Sequence, residues 1–565
     1  MPGTAAIEEK PESRISLNGS AVAGPTLGRR DDRSHHAAHD DHDALWRPSF
    51  NPWLVAFTVT LATFMEALDS SIANVALPHI AGSLAASRDE STWVLTSYLV
   101  SNAVVLPISG WLSNRFGRKR FYMTCVALFT ATSFLCGLAP SLGMLVLFRI
   151  IQGAAGGGLQ PSERAILADT FPPEKRSMAF AIYGMAVVLA PAIGPTLGGW
   201  ITDNYSWRWI FFLNIPVGII SLLLTNRIVE DPPYLKRVRA LIQRVDYYGL
   251  GLLIVFIGAL QLMLDKGQEN DWFSSRLIVG CAFVSAIGFG IFLWHELRTA
   301  HPIVDLRLYK LRNFATTQFV MLMIGVALYS TTVLIPQFLQ QLMGYSAEQA
   351  GMALSAGGLV IMVLFPLAGL LGQKFDPRLL TTIGFIMLTY GLYRMTDINL
   401  GVSFGTAVSW RVMMTIGLPF LFVPISVMTY VGVPREKNNE ISGLTSLARN
   451  LGGSLGISAV TTLLVRRQQA HQNYLAAHLT SANSTYTQQL AGIASALRQR
   501  AALALPDATY LAKARIYDSL QRQALSLAYV DVIWILVATT AILIPIAYLM
   551  KKPDFAAKST NVSTH

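Results

Sequence analysis

Two acidic residues, Glu66 and Asp69, lie in an apolar segment that is otherwise long enough to cross a bilayer. An acidic side chain at the centre of a membrane helix costs about 2.5–3.5 kcal/mol on insertion scales, so such groups usually serve a function. Residues three apart on a helix share a face, so both side chains should point the same way. A carboxyl group between helices can take up a proton on one side of a membrane and release it on the other. The pair therefore predicts a proton-carrying site. The alternative is that both acids lie at a solvated end of the helix and have no function.

A third ionisable group, Arg149, falls in the middle of another apolar run. Because arginine keeps its charge in proteins, it cannot carry the proton itself. We expect it to hold a nearby carboxylate or polar network and so to control proton release. The alternative is an arginine satisfied by backbone carbonyl groups.

The overall composition places these groups in a membrane protein of many spans. Hydrophobic residues make up 52% of the 565 residues and charged residues 14%, whereas a soluble domain has about 25% charged residues. Apolar runs of roughly eighteen residues or more number about fourteen. They predict an all-α polytopic fold with fourteen transmembrane helices.

The net charge of +11 orients the chain and does not indicate nucleic-acid binding. The basic residues concentrate in the short loops 115–120, 236–244 and 298–312, which all fall on one side of the predicted spans. By the positive-inside rule that side is cytoplasmic, and an even number of spans puts both termini there. The expected location is the bacterial inner membrane, with cytoplasmic N- and C-termini.

Internal repetition predicts how the spans are grouped. GWLSNRFGRK from Gly110 is echoed by GLLGQKFDPR from Gly369, and FRIIQG from Phe148 by WRVMMTIG from Trp410, in both cases about 260 residues apart. Parallel repeats of this kind bracket a midplane binding site in secondary transporters. We expect a disordered cytoplasmic tail at 1–50, a six-helix bundle at 51–228, a linker and two inserted helices at 229–300, a second six-helix bundle at 301–550 with a periplasmic loop at 466–526, and a cytoplasmic tail at 551–565.

Glycine and proline in the fifth apolar segment predict close helix packing. Small residues at helical spacing let two helices approach, and proline removes backbone hydrogen bonds and bends the helix. We expect a thin, kinked seam between the two bundles, with ordinary close packing as the alternative. The residues are Gly184, Pro191, Gly194, Pro195, Gly198 and Gly199.

The basic loop after the second apolar segment predicts a gate. Its glycines allow close approach, and its cations could bind acids such as Asp169 or helix C-termini; a simple topology signal is the alternative. The candidate gating residues are Gly110, Asn114, Arg115, Gly117, Arg118 and Lys119.

Polar and aromatic side chains within the spans are candidates for lining a cavity. Aromatic and apolar walls with a few polar groups suit flat, lipophilic molecules; the alternative for each residue is helix packing or the aromatic belt at the membrane interface. The candidates are Trp93, Tyr98, Asn102, Gln160, Tyr183, Tyr329, Gln337 and Asn450.

These motifs resemble the major facilitator superfamily, in its fourteen-helix drug:proton antiporter branch of the EmrB/QacA type. Within that branch they resemble EmrB more than QacA. The resemblance covers about residues 50–550 and includes four motifs in the family's order: LDSSIANVALP from Leu68 is similar to the first-helix motif, GWLSNRFGRK to motif A, FRIIQG to motif B and APAIGPTLGG to motif C. The chain differs at Asn114, where motif A usually has Asp. The resemblance implies a major facilitator fold and export of lipophilic compounds in exchange for protons.

The resemblance also implies partners. The long hydrophilic stretch from about Arg466 to Gln523 is expected outside the membrane, where it could bind a periplasmic membrane-fusion adaptor (EmrA-like) that leads to an outer-membrane channel. Two alternatives remain: an exporter of one metabolite or siderophore with the same fold, and a receptor or scaffold that transports nothing. We expect no nucleic-acid partner.

The sequence predicts neither an enzyme nor a cofactor. It has no phosphate-binding loop ending in Gly-Lys-Ser/Thr and no nucleophile elbow. The three cysteines are not spaced like metal ligands, and we expect no metal site in the core. The run HHAAHDDHD at 35–43 could bind a transition metal or be a disordered polar tail.

Overall fold

The computed structural model describes residues 48–235, 246–299, 302–501 and 504–551, which form helices and loops without a β-strand. We number the fourteen long helices in chain order. They are α1 (Pro52–Ser83), α2 (Asp89–Phe116), α3 (Arg118–Leu138), α4 (Leu142–Thr170), α5 (Pro173–Asn204), α6 (Trp209–Ile228), α7 (Tyr247–Lys266), α8 (Arg276–Arg298), α9 (Arg312–Gln341), α10 (Gln349–Lys374), α11 (Pro377–Met395), α12 (Phe404–Met428), α13 (Asn438–Ala476) and α14 (Leu505–Leu549).

Twelve of these helices are long and apolar enough to cross a membrane. The other two, α11 and α13, fall below that hydropathy because they carry more polar residues, but α11 packs along α12 and α13 packs along α9. The predicted all-α polytopic fold is confirmed. Local signals start several helices: Asn51 accepts a hydrogen bond from the Trp53 amide at the start of α1, and Pro52 occupies its first position.

Helix α4 is interrupted in its middle, at Gly157 and Gly158, between Leu142–Gly156 and Leu159–Thr170. A Cβ at Gly157 would lie 2.7 Å from the carbonyl oxygen of Asn102 on α2, so only glycine permits this approach. The second half of α4 carries several of the polar residues of the site described below.

The first six helices (α1–α6) pack among themselves, as do the last six (α9–α14), and the two sets meet along two seams. Along α5 and α10, the hydroxyls of Thr196 and Ser355 are 2.9 Å apart. Along α2 and α13, a Cβ at Gly443 would lie 2.7 Å from the carbonyl oxygen of Leu106. Backbone therefore approaches backbone closely at the second seam.

The inserted pair, α7 and α8, attaches to the edge of the second seam. Helix α7 packs on both α2 and α13, while α8 packs on α7. The amide of Gln261 donates to Ser454 of α13 at 2.7 Å, and Thr96 of α2 donates to Asp265. Helix α7 thus contacts both sets of six helices.

Helices α13 and α14 are much longer than a bilayer requires. Asn438–Ala476 and Leu505–Leu543 each contain 39 residues, or about 58 Å of helix against a hydrocarbon core of about 30 Å. Between them lies a further helix, Ser484–Ala501. We call residues 466–526, the stretch predicted as a hydrophilic loop, the extension.

Three predictions concern segments outside the described residues. They are the N-terminal tail up to residue 47 with its His- and Asp-rich run, the basic linker at 236–245, and the C-terminal tail from residue 552.

Candidate functional site

Asp69 and Arg149, both expected to act in proton coupling, form a buried ion pair. Nη1 of Arg149 on α4 lies 2.6 Å from Oδ2 of Asp69 on α1, and the two side chains are 0% and 1% exposed. Gln152 and Asn214 donate to Oδ1 of the same carboxylate, at 3.2 and 2.7 Å. Side chains from α4 and α6 therefore bind one carboxylate on α1.

Arg149 is held from three further sides. Its Nε donates to the carbonyl oxygen of Val94 at 3.1 Å, and its Nη1 also donates to Gln152 at 2.9 Å. Its guanidinium lies 4.1 Å from the ring centre of Tyr98, within the range of a cation–π interaction. The carbonyl contact expected as the alternative is present together with the ion pair.

Glu66 belongs to a different network from Asp69, although the two lie only three positions apart. Its carboxylate accepts from the hydroxyl of Tyr98 at 3.2 Å, from the amide of Asn102 at 3.3 Å and from the amide of Gln160. Tyr98 touches both networks, because its hydroxyl binds Glu66 and its ring faces Arg149.

The Glu66 network extends across the seam to Arg449 of α13. Arg449 donates to the amide oxygen of Gln160, and at 3.3 Å to the hydroxyl of Tyr183 on α5. Next to it, the amide of Asn450 donates to the amide oxygen of Asn102 at 3.3 Å. Polar side chains thus join the first six helices to the last six in the middle of the protein.

Most of the cavity candidates meet at this network. A Cβ at Gly453 would lie 2.6 Å from the ring of Tyr329, which places that ring one turn from Arg449. Two candidates lie elsewhere. Trp93 is at the start of α2, and Nζ of Lys266 lies 5.5 Å from its ring centre. In the described part of the chain, Gln337 makes no hydrogen bond to the network. The six that meet are Tyr98, Asn102, Gln160, Tyr183, Tyr329 and Asn450.

The gating candidates lie at one end of the molecule, which we call the basic end. Arg118, only 1% exposed, forms an ion pair with Asp169 at the end of α4, and its Nε donates to Asn439 of α13 at 2.7 Å. Asn438 donates to the other carboxylate oxygen of Asp169 at 2.7 Å. This arrangement binds the start of α3 and the end of α4 to the start of α13 at the basic end.

Tyr234, in the segment after α6, completes this cluster. Burial raises the pKa of its hydroxyl, and the hydroxyl donates to Asp169 at 2.6 Å while it accepts from Nη2 of Arg118 at 3.0 Å. Tyr234 is not among the residues predicted from the sequence, because a tyrosine in a linker has no distinctive spacing.

The remaining gating residues pack or cap. Asn114, which stands where the family motif usually has Asp, accepts from the amide of Asn439 across the seam. A Cβ at Gly110 would lie 2.8 Å from Cα of Glu440, and Gly117 has φ +94°. Lys119 donates through Nζ to the carbonyl oxygen of Asn226 at 2.7 Å, in the last turn of α6. Arg115 lies in the last turn of α2.

The glycines and prolines of α5 pack in two directions rather than along the single seam expected. Gly184 faces the last six helices, because a Cβ at this position would lie 2.3 Å from the ring of Phe365 on α10. Gly194 and Gly198 lie against Ser71 and Ile72 of α1, within the first six helices. Helix α5 packs against both α10 and α1, and Gly194, ten positions after Gly184, points about 80° away from it on a regular helix. Pro191 and Pro195 both lie inside the helix, and Gly199 lies 4.0 Å from Val75 of α1.

A model of the Major Facilitator Superfamily matches residues 59–457 of the chain. The chain belongs to this superfamily. The major facilitator fold also appears in the solved structure of the proton:xylose symporter XylE, which has a TM-score of 0.53 at 16% identity and covers 86% of this chain and 99% of that one.

Relatives with much higher identity are known within the superfamily. The chain is 35% identical over 505 residues to the multidrug export protein EmrB of Escherichia coli strain K12, with 88% of this chain and 95% of that protein covered. It is 39% identical over 431 residues to EmrB of Haemophilus influenzae, with 76% of this chain and 84% of that protein covered. The resemblance to EmrB-type exporters predicted from the motifs is confirmed, and the chain is a multi-pass membrane transporter.

Proposed function

We propose that this protein is a proton-driven multidrug efflux antiporter that exports lipophilic compounds by alternating access. The observation that carries the proposal is the buried Asp69–Arg149 ion pair. The two relatives described above are named as multidrug export proteins, which supports a substrate range of several compounds.

A proton at Asp69 would compete with Arg149 for the carboxylate. Protonation removes the negative charge that Arg149 binds, so the ion pair that fixes α1 against α4 is lost. Gln152 and Asn214 can still hydrogen-bond to the neutral acid, since their amide groups both donate and accept. One proton can thus loosen the packing of three helices without unfolding them.

The contacts at the basic end supply the second part of the cycle. Arg118 of α3 and Asp169 of α4 bind Asn439 and Asn438 of α13 there, and opening toward that side requires that these contacts break. We propose that loss of the Asp69–Arg149 pair and opening at the basic end are two steps of one transport cycle. Alternating access of this kind moves two bundles about a central site.

We further propose that the basic end faces the cytoplasm of a bacterial inner membrane and that the extension lies in the periplasm. Its tyrosines Tyr474, Tyr510 and Tyr517 are exposed, and exposed aromatic residues are enriched at protein interfaces. A periplasmic membrane-fusion adaptor that leads to an outer-membrane channel is the partner we propose, in a tripartite pump.

Transport by the purified protein in proteoliposomes with an imposed pH gradient tests the proposal. Gradient-dependent movement of several structurally unrelated lipophilic dyes is expected. Movement of one compound only would favour the exporter of a single metabolite or siderophore. No transport of any compound, with the protein folded, would favour a receptor or scaffold.

A further inference from the structure

Arg164, on the second half of α4, is buried but has no acceptor for its charge. It is 0% exposed, and its Nε, Nη1 and Nη2 make no hydrogen bond to any described residue. Buried charges in proteins are normally paired, since an unpaired ion out of water is strongly unfavourable. The described part of the chain therefore supplies no hydrogen-bond partner for this guanidinium group.

The neighbouring acid does not fill this place. Glu163 precedes Arg164 directly, and adjacent residues on a helix point about 100° apart. The Glu163 carboxylate turns toward α1, where it accepts from Thr60 at 2.6 Å, whereas Arg164 turns toward α5 and lies 5.6 Å from the ring centre of Tyr183. Glu163 is close enough to attract Arg164 electrostatically but makes no hydrogen bond to it.

Tyr183 connects Arg164 to a second cation. Its hydroxyl accepts from Arg449 at 3.3 Å, while its ring faces Arg164. Arg449 also has an unpartnered donor, Nε. Two guanidinium groups with free donors thus flank one aromatic ring at the contact between the first and last six helices.

Aromatic side chains surround this place. Tyr183 lies 5.8 Å from Phe422 of α12, and Phe180 stacks on Tyr430 with ring centres 5.5 Å apart. Flat rings beside unpaired guanidinium groups match a molecule with an apolar body and a negative head. Arginine binds carboxylate and other planar oxyanions through two parallel hydrogen bonds.

We propose that Arg164, Tyr183 and Arg449 form a recognition site for the anionic head of a lipophilic compound. The site reaches its bound form when the two sets of helices separate enough to admit the molecule. This inference rests on the proposed export function, because it names one chemical class, lipophilic acids, among the compounds exported. An anionic lipid headgroup would present the same chemistry.

Equilibrium fluorescence titrations with pyrenebutyrate and pyrenebutanol test the site, because the two probes differ mainly in charge. The full-length protein is placed in phosphatidylcholine nanodiscs at about pH 7.5, where the carboxylate is ionised. Wild-type protein should bind the carboxylate about tenfold more tightly than the alcohol. Arg164→Gln should lose most of this ratio and Arg164→Lys should keep part of it. Arg394→Gln, on a side chain 44% exposed, should keep all of it.

Equal affinities of the wild-type protein for the two probes would overturn the proposal without recourse to any variant. An unchanged ratio in Arg164→Gln would overturn it as well. Nanodiscs that contain phosphatidylglycerol distinguish an anionic compound from an anionic lipid headgroup as the natural ligand. The site holds a lipid headgroup if phosphatidylglycerol weakens pyrenebutyrate binding and if anionic lipid copurifies with the wild-type protein but not with Arg164→Gln. A failure of the export function is recognised separately, as absence of gradient-driven pyrenebutanol transport by the wild-type protein while the binding ratio persists.

Discussion

Gln160 accepts a hydrogen bond from Arg449 through its amide oxygen and donates one to Glu66 through its amide nitrogen. A cation on one side and an acid on the other therefore fix the orientation of this amide. Because Arg449 belongs to α13 and Glu66 to α1, the charge of Glu66 is connected to the contact between the first and last six helices. A protonated Glu66 can still accept from the amide, but the hydrogen bond then lacks the negative charge that strengthens it.

Replacement of Gln160 by Glu should slow export about tenfold, because a carboxylate would pair directly with Arg449 and hold the two sets of helices together. Dye export from proteoliposomes measures the rate. Gln349→Glu is the matched control, since it lies in the capping box at the start of α10, where Glu also serves. Export by Gln160→Glu at the wild-type rate would contradict the role of this contact.

Asp169→Asn should favour opening of the basic end, because the Asp169 carboxylate accepts from Asn438 of α13 and positions Arg118, which binds Asn439, and hydrogen bonds to a charged group are the stronger ones. A cysteine at position 109 reports this opening, because the buried Ser109 lies against Gly443 in the α2–α13 seam. Its labelling by an impermeant maleimide should accelerate at least about fivefold, in a background without the native cysteines. Glu174→Asn, on an exposed acid at the same end, should leave the labelling rate unchanged. If Asp169→Asn also leaves it unchanged, the ion pair does not close this end.

Gly110→Ala should also disfavour closure at the basic end, because a Cβ there would lie 2.8 Å from Cα of Glu440. Backbone cannot move aside as a flexible side chain can. The same maleimide assay should show faster labelling, together with slower export. Gly82→Ala is the control, since a Cβ at Gly82 meets nothing within 4 Å. Equal behaviour of the two variants would argue against close approach as the reason for glycine at position 110.

Removal of residues 473–516 should spare transport but reduce resistance in cells that have an outer membrane. Gln472 and Tyr517 are hydrogen-bonded at 2.9 Å, so a short Gly/Ser linker can join the two helices at that level. Export from proteoliposomes should continue, while copurification with an adaptor protein and drug resistance in cells should be lost. An adaptor that still copurifies would exclude binding through the extension, and loss of transport in proteoliposomes would assign the extension to transport itself.

The charged residues of the site were predictable where they interrupt apolar runs. Asp69 and Arg149 stand out because a charge is costly inside a membrane helix, and their pairing follows once α1 and α4 are neighbours. Arg449 is also a charged residue in an apolar run, but it is not among the predicted site residues. Glu163 and Arg164 lie in a polar part of α4 that does not belong to any predicted apolar run. The residues of Leu159–Thr170 are themselves largely polar, so the hydropathy of this segment does not mark it as membrane-spanning.

The neutral partners could not be predicted. Asn214 and Gln152 bind Asp69, yet an amide side chain in a membrane helix has no spacing that identifies its partner. The direction in which each glycine of α5 faces also depends on neighbours that come from other parts of the chain.

Asp69→Asn should abolish coupling to protons but leave the protein folded, because Asn keeps the size of Asp and can still hydrogen-bond to Gln152 and Asn214. Gradient-driven dye export should fall to the level of empty liposomes. Dye exchange in the absence of a gradient should continue. Asp203→Asn is the control, on an acid at the end of α5 with a side chain 60% exposed.

Proton movement driven by a dye gradient, in proteoliposomes that contain a pH-sensitive fluorophore, tests the central claim most directly. Antiport is reciprocal, so a gradient of lipophilic dye across wild-type proteoliposomes should move protons in the opposite direction. Asp203→Asn should do the same, and Asp69→Asn should move none. Dye-driven proton movement by Asp69→Asn at the wild-type rate would contradict the assignment of the proton site, and none by the wild-type protein would contradict antiport itself.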